Sequence, residues 1–413
     1  MQKGSLALFG LAVAALASLL SADVQGQRGG QPVQLPEGPG KELVSTTCSR
    51  CHGLNLITNS WGYDREGWTH LFSSMVALPR DQADTVANYL AMNFSEKPGT
   101  QKAVLIPGPA KVTFRDWIAP SLGSRPHDPM SAADGSLWWT GMYSNMLGRV
   151  DPKTGAAKEF PLKTPGSGPH GLVEDKAGNV WFTANQSRYV GKLDPKTGTV
   201  TEYPLPDPAA RGPHTPIFDP RGMFWFTMQS GHVGRVDPAT GDVRLAKTPS
   251  DNTYPYGIVV NSKGEPWYVD FRGNRIGSID PVTMQIKEYV LPNEASRPRR
   301  IALTPDDVVW YTDFPRGYLG RFDPKTGQTR EWASPGGPAS RPYGIAAVGD
   351  VLWYSESGVK PNTLVRFDSK TEQFQTWVIP AGGGVVRHMV ATSDGNLVLA
   401  ESALNRVTLV QVN

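Results

Sequence analysis

The sequence predicts an all-β, seven-bladed propeller preceded by a small all-α domain. Three observations carry this: a unit of roughly 43 residues that recurs seven times, four short β-type runs with turn chemistry in each unit, and a helix-period stretch that ends before the repeats begin. The 413 residues hold 41 Lys+Arg against 38 Asp+Glu, a net charge of +3, and are 39 % hydrophobic. This near-balance excludes nucleic-acid and membrane-surface partners, which demand a basic face. With 44 glycines and 36 prolines the chain is turn-rich. It has two cysteines, three positions apart, so no long-range disulfide framework is possible.

The chain opens with the layout of an export signal. Lys3 precedes an apolar run from Ser5 to Leu20, and small and polar residues follow to Gly26. Residues 1–26 therefore read as a signal peptide, which places the protein in the periplasm with no membrane span after signal removal.

Residues 27–94 form the helical domain. Cys48-Ser49-Arg50-Cys51-His52 is a C-x-x-C-H pentapeptide, which in an exported chain reads as covalent attachment of haem c. One helical turn sets both thiols under the two vinyl groups of a porphyrin, and His52 then meets the iron as proximal ligand. Further on, Trp68, Leu71, Phe72, Met75 and Val76 share one helix face. A turn at Leu78-Pro79-Arg80 leads to Asp81, the expected N-cap of a last helix carrying Val86, Tyr89 and Leu90. This layout resembles small class I cytochrome c domains attached to periplasmic dehydrogenases. The resemblance implies a sixth, methionine ligand just before the last helix. Met75 is placed there, with Met92 and His70 as alternatives and ordinary helix core as the competing role for Met75.

Residues 95–111, rich in Pro, Gly and Lys, read as a linker. Residues 112–413 are the propeller. Aligning the segment before each aromatic pair gives His127, His170, His214, Tyr256, Arg299, Tyr343 and His388, in steps of 43, 44, 42, 43, 44 and 45. Ten or eleven positions later come Trp138-Trp139, Trp181-Phe182, Trp225-Phe226, Trp267-Tyr268, Trp310-Tyr311 and Trp353-Tyr354, with Val398-Leu399 in the seventh unit. A Gly-x-x-Asp-Pro run follows, and Asp-Pro-Lys-Thr-Gly at Asp151, Asp194 and Asp323 is hairpin-turn chemistry. The seventh unit ends after its third strand, while Val112 to Trp117 resembles a fourth strand. That segment should seal the ring.

The P-H-G turn, the D-x-x-G-x-[VL]-W-F-T run and the I-G-[RK]-[IVL]-D run resemble the virginiamycin B lyase (streptogramin lyase) family over about residues 112–413. The resemblance implies elimination at an ester linkage of a cyclic depsipeptide, with a magnesium ion and a His/Glu set at one mouth of the funnel. Carried over residue by residue, it selects the turn histidines His127, His170, His214 and His388. The acid after the aromatic pair falls at Asp270, Asp313, Glu356 and Glu401, so His388 with Glu401 is the blade expected to hold both members.

Arg125, Arg297, Arg299, Arg341 and Arg387 are interleaved among these positions and suit an anionic or carbonyl-bearing substrate. Two functions are expected from the whole: a periplasmic haem oxidoreductase whose funnel binds a small molecule or an electron-transfer partner, or a magnesium-dependent lyase. A non-catalytic binding platform is the third.

Overall fold

The structure, a computed structural model, describes residues 33–50, 53–58, 60, 62–95 and 101–413. The signal peptide, Cys51 and His52 lie outside the described residues. The chain divides into two compact units, Met1–Ser60 and Trp61–Asn413. No described helix is long and apolar enough to cross a membrane.

In the first unit, α1 (Lys41–Cys48) buries Val44 and Thr47, and α2 (Asn55–Thr58) buries Ile57. Cys48 is the last residue of α1 and is half-buried.

The second unit begins with two helices. α3 (Arg65–Ser73) is capped by Asp64, whose carboxylate accepts from the Gly67 amide at 2.7 Å, and it buries Trp68, Leu71 and Phe72. The apolar face was expected to run on to Met75, but the helix ends at Ser73, which leaves Met75 half-buried in the connection to the next helix. α4 (Arg80–Asn93) buries Val86, Ala87, Tyr89 and Leu90. Pro79, not Asp81, takes the capping position, and Asp81 falls in the first turn, where its charge complements the helix dipole. The division into compact units falls after Ser60. The Ser74 carbonyl accepts from the Gly123 amide at 2.9 Å, and the Lys360 ammonium lies 4.7 Å from the Tyr63 ring centre. Residues 101–111 run along the outer strand of blade six, with the Ile106 amide donating to Thr376 Oγ1 at 2.7 Å and Gln375 Nε2 to the Ala110 carbonyl at 2.7 Å.

Seven four-stranded antiparallel sheets follow. In blade one they are Pro126–Ser131, Leu137–Gly141, Met146–Val150 and Ala157–Pro161, in that order from the innermost strand outwards. Blade seven takes its outer strand from Val112–Ile118, which pairs with Arg406–Val412 from Val112 opposite Val412 to Ile118 opposite Arg406. The ring closes between the two ends of the repeat, and no blade is left as an open edge.

The aromatic pair explains the repeat. In blades one to five its second member lies over the glycine opposite it: a Cβ on Gly148 would fall 1.9 Å from the Trp139 ring, and one on Gly191 2.3 Å from Phe182. Any larger residue would displace the ring. The tryptophan packs outwards, stacked on the fourth strand as in Trp181–Tyr203 (5.1 Å) and Trp310–Trp332 (5.3 Å). Its indole N–H returns to the turn, with Trp181 donating to Asp175 at 2.8 Å. In the Asp-Pro-Lys-Thr-Gly turn, Asp151 Oδ1 accepts from the Lys153 amide at 2.8 Å and Gly155 adopts φ 76°.

Candidate functional site

A β-bulge follows the first residue of all seven innermost strands, and it re-aims the next two side chains relative to the regular pleat. The first residues are Pro126, Pro169, Pro213, Pro255, Pro298, Pro342 and Val386. They oppose Gly141, Ala184, Met228, Asp270, Asp313, Glu356 and Glu401. The position after them holds His127, His170, His214, Tyr256, Arg299, Tyr343 and Arg387. His388 was expected here, but the last step of 45 is one residue too long, and Arg387 takes its place. His388 stands one position further on, equivalent to Asp128 and Arg300.

Three of the histidines come together. The His127 and His170 rings are 3.7 Å apart between centres, His170 and His214 3.7 Å, and His214 and Tyr256 3.8 Å. Tyr256 Oη then meets Tyr343 Oη at 2.6 Å. The Arg299 guanidinium lies 3.7 Å from the Tyr343 ring centre and 4.2 Å from that of Phe314.

Beneath this layer Arg300, fully buried, donates through Nη2 to Asp128 Oδ1 at 2.6 Å and through Nη1 to Asp128 Oδ2 at 3.3 Å and Thr215 Oγ1 at 3.0 Å. Its Nε donates to the Arg387 carbonyl at 3.2 Å. Sequence reasoning passed over Arg300 and Asp128. Their signal was the residue after the turn position, which is Gly in blades two, four and six but charged, with opposite signs, in blades one and five.

This network fixes the tautomer of His127. Asp128 Oδ1 lies 2.9 Å from His127 Nδ1, so that nitrogen carries the proton and Nε2 is left as an acceptor. Thr215 Oγ1 accepts from Arg300 and lies 2.8 Å from His214 Nδ1, while His214 Nε2 is a buried atom without a protein partner among the described residues. All four imidazoles are neutral. Burial, then the charges of Arg387 and Arg300, hold His127 well below the ordinary range. His170 and His214 are lowered by burial and by their neighbouring ring, and His388 is pushed down to about 3 by burial and Arg300. Burial works against Asp128 ionising, yet Arg300 prevails and keeps its pKa low.

The carboxylates have other duties. Glu401 is buried, with Oε1 accepting from Thr408 Oγ1 at 2.6 Å and Oε2 unpartnered; burial raises its pKa to about 8. No described hydrogen bond or ion pair joins it to His388. Asp270 accepts the Tyr254 amide at 2.7 Å, Asp313 the Arg297 amide at 3.1 Å and Glu356 the Gly336 amide at 2.6 Å, so these three brace loops. The expected arc of catalytic carboxylates is a set of loop anchors. Blades one to three carry a turn histidine without an acid, and blades four to seven carry an acid without a turn histidine.

Nor do the residues present fit magnesium. His127, Asp128 and His170 offer ligand atoms within 4.8 Å of one another, but both Asp128 oxygens are held by Arg300, whose charge opposes a cation. Magnesium also requires a shell composed mainly of oxygen.

Comparison with known proteins agrees with the blade geometry. The profile of the Virginiamycin B lyase family matches residues 109–333, more than half of the chain. A streptogramin B lyase structure is 27 % identical at a TM-score of 0.66, covering 73 % of this chain and 98 % of that one. A selenomethionine-substituted virginiamycin B lyase from Staphylococcus aureus is 26 % identical at a TM-score of 0.66, covering 73 % and 99 %. A catalytically inactive histidine-to-alanine form of that enzyme, solved with quinupristin, is 25 % identical with the same TM-score and coverage. No curated protein matches with significance. By its profile and its seven blades, the chain belongs to the Virginiamycin B lyase family.

Proposed function

We propose that the protein is a periplasmic c-type haem oxidoreductase whose propeller funnel receives a small molecule, with a periplasmic electron-transfer partner exchanging electrons at the haem. The observation that carries this reading is the C-x-x-C-H sequence at the end of α1. Cys48 closes that helix, and Cys51 lies one helical turn beyond it in sequence. Two thiols and an imidazole are the donor set of haem c: Cys48 and Cys51 would form the thioether links, His52 would be the proximal ligand, and Met75 is the candidate sixth ligand. When bound, haem supplies one-electron chemistry. In the funnel, His127 holds its proton on Nδ1 against Asp128 and keeps Nε2 as a neutral hydrogen-bond acceptor. Tested on the full chain matured with haem, the holoprotein should show a c-type spectrum that survives denaturation. Cys48→Ser and Cys51→Ser should abolish it, and a haem-free wild type would refute the reading.

Family membership favours a second reading, a lyase opening a cyclic depsipeptide. The separation of turn histidines from strand-end acids, and the guanidinium on Asp128, support the first reading over it. Incubation with a streptogramin and magnesium should leave the ring intact; its linearisation would reverse that order.

A further inference from the structure

We infer that the funnel mouth is an anion site, built by Arg125, Arg299, Arg341 and Arg387 for a small molecule bearing an oxyanion such as a carboxylate. The inference rests on the funnel being the ligand site, as proposed above, and specifies what enters it. These four guanidinia come from blades one, five, six and seven. Among the described residues none of them makes an ion pair, whereas Arg316 pairs with Asp313 and Glu331 at 2.8 and 2.7 Å. Arg299 and Arg341 flank one ring, Phe314, at 4.2 and 5.8 Å. Arg387 sits close enough to Arg125 for its charge, after burial, to press the Arg125 pKa down to about 9. The Arg387 side chain has no described partner, and its Nε, like that of Arg299, is buried without an acceptor. Such a group is a charged donor that an incoming anion would pair.

The entry turn of several blades is left-handed. Two residues before the turn position, blades two and three use Gly168 and Gly212 at φ 55° and 64°, the left-handed region that glycine occupies without cost. Blades one and six adopt the same conformation with Arg125 and Arg341, at φ 54° and 50°. Blade seven does the same with Val385, at φ 88°, so the conformation belongs to the turn, and in blades one and six it carries an arginine side chain. Tyr143, stacked on Arg125 at 4.4 Å, and Phe314 offer flat apolar surface beside the charge.

The test uses the haem-loaded full chain and reads thermal midpoint and calorimetric binding with sodium acetate, benzoate and phosphate, against sodium chloride at equal ionic strength. The oxyanions should raise the midpoint where chloride does not. Arg387→Gln should weaken oxyanion binding by about tenfold or more. Arg341→Gly should also weaken it while leaving the ligand-free midpoint equal or higher, which a structural arginine would not do. Benzoate stronger than phosphate identifies an organic acid lying on the aromatic rings, and the reverse identifies a free inorganic oxyanion; both support the site. No rise beyond chloride, or equal binding by wild type and both variants, overturns it. Haem absorbance is read in the same samples, so loss of the haem reading and loss of the anion site are told apart.

Discussion

Arg300 reaches from blade five to blade one and grips both oxygens of Asp128, at 2.6 and 3.3 Å. The pair is buried, and Asp128 in turn fixes the proton of His127. Asp128→Asn leaves a guanidinium in the interior without its counter-charge, which should cost roughly 3–5 kcal/mol. Replacing both residues, as Asp128→Asn with Arg300→Met, should recover most of that loss. Urea midpoints for the two singles and the double measure the coupling, and a double variant as unstable as the single would contradict it.

Glu401 predicts the pH dependence of stability. Its folded pKa of about 8 lies above the ordinary glutamate value of 4.5, so between these values the unfolded chain has lost a proton that the folded chain keeps. The stabilisation is complete below pH 4.5, declines as pH rises through that interval and levels off above 8, at about 1.4 kcal/mol per unit. Glu401→Gln keeps an acceptor for Thr408 and cannot ionise. It should match wild type near pH 5 and exceed it in urea midpoint at pH 8; equal midpoints at both values would exclude a raised carboxyl.

The blade threonines are latches between neighbouring sheets. Thr140, Thr183, Thr227 and Thr312 donate to the carbonyls of His170, His214, Tyr256 and Tyr343 on the next blade, at 2.7, 2.5, 2.6 and 2.9 Å. Thr227→Val conserves shape but strands the Tyr256 carbonyl in the interior. A loss of about 1–3 kcal/mol is expected in chemical denaturation, with the m-value unchanged.

The fold was legible because its determinants are local and repeat: a glycine under an aromatic ring, a tryptophan bonded to its own turn, a hairpin set by Asp and Gly. Ring closure was legible for the same reason, since Val112 to Trp117 reads as a fourth strand wherever it stands. The site was legible only in part. His127, His170 and His214 follow the turn spacing and do stack, but in blade seven Arg387 holds the turn position and His388 stands one residue beyond it, a difference that spacing varying from blade to blade does not resolve. Glu401 could not be read as a buried, Thr408-bonded carboxyl, because its neighbours come from the other strands of the closing sheet. Arg300 and Asp128 are 172 residues apart in sequence, and nothing local links them.

On the haem reading proposed above, the three candidates for the sixth ligand differ in exposure. Met92 is 76 % exposed, and the His70 side chain, 57 % exposed, lies 3.6 Å from Glu66. Met75 is half-buried and outside the helix, on a connection whose Ser74 carbonyl is tied to Gly123. A thioether ligand raises the reduction potential relative to a second histidine. Met75→Leu should therefore remove the methionine-to-iron charge-transfer band of the oxidised holoprotein and lower its potential, whereas Met92→Leu and His70→Gln should leave both unchanged. Loss of the band in Met92→Leu, with Met75→Leu unaltered, would move the ligand to the end of α4.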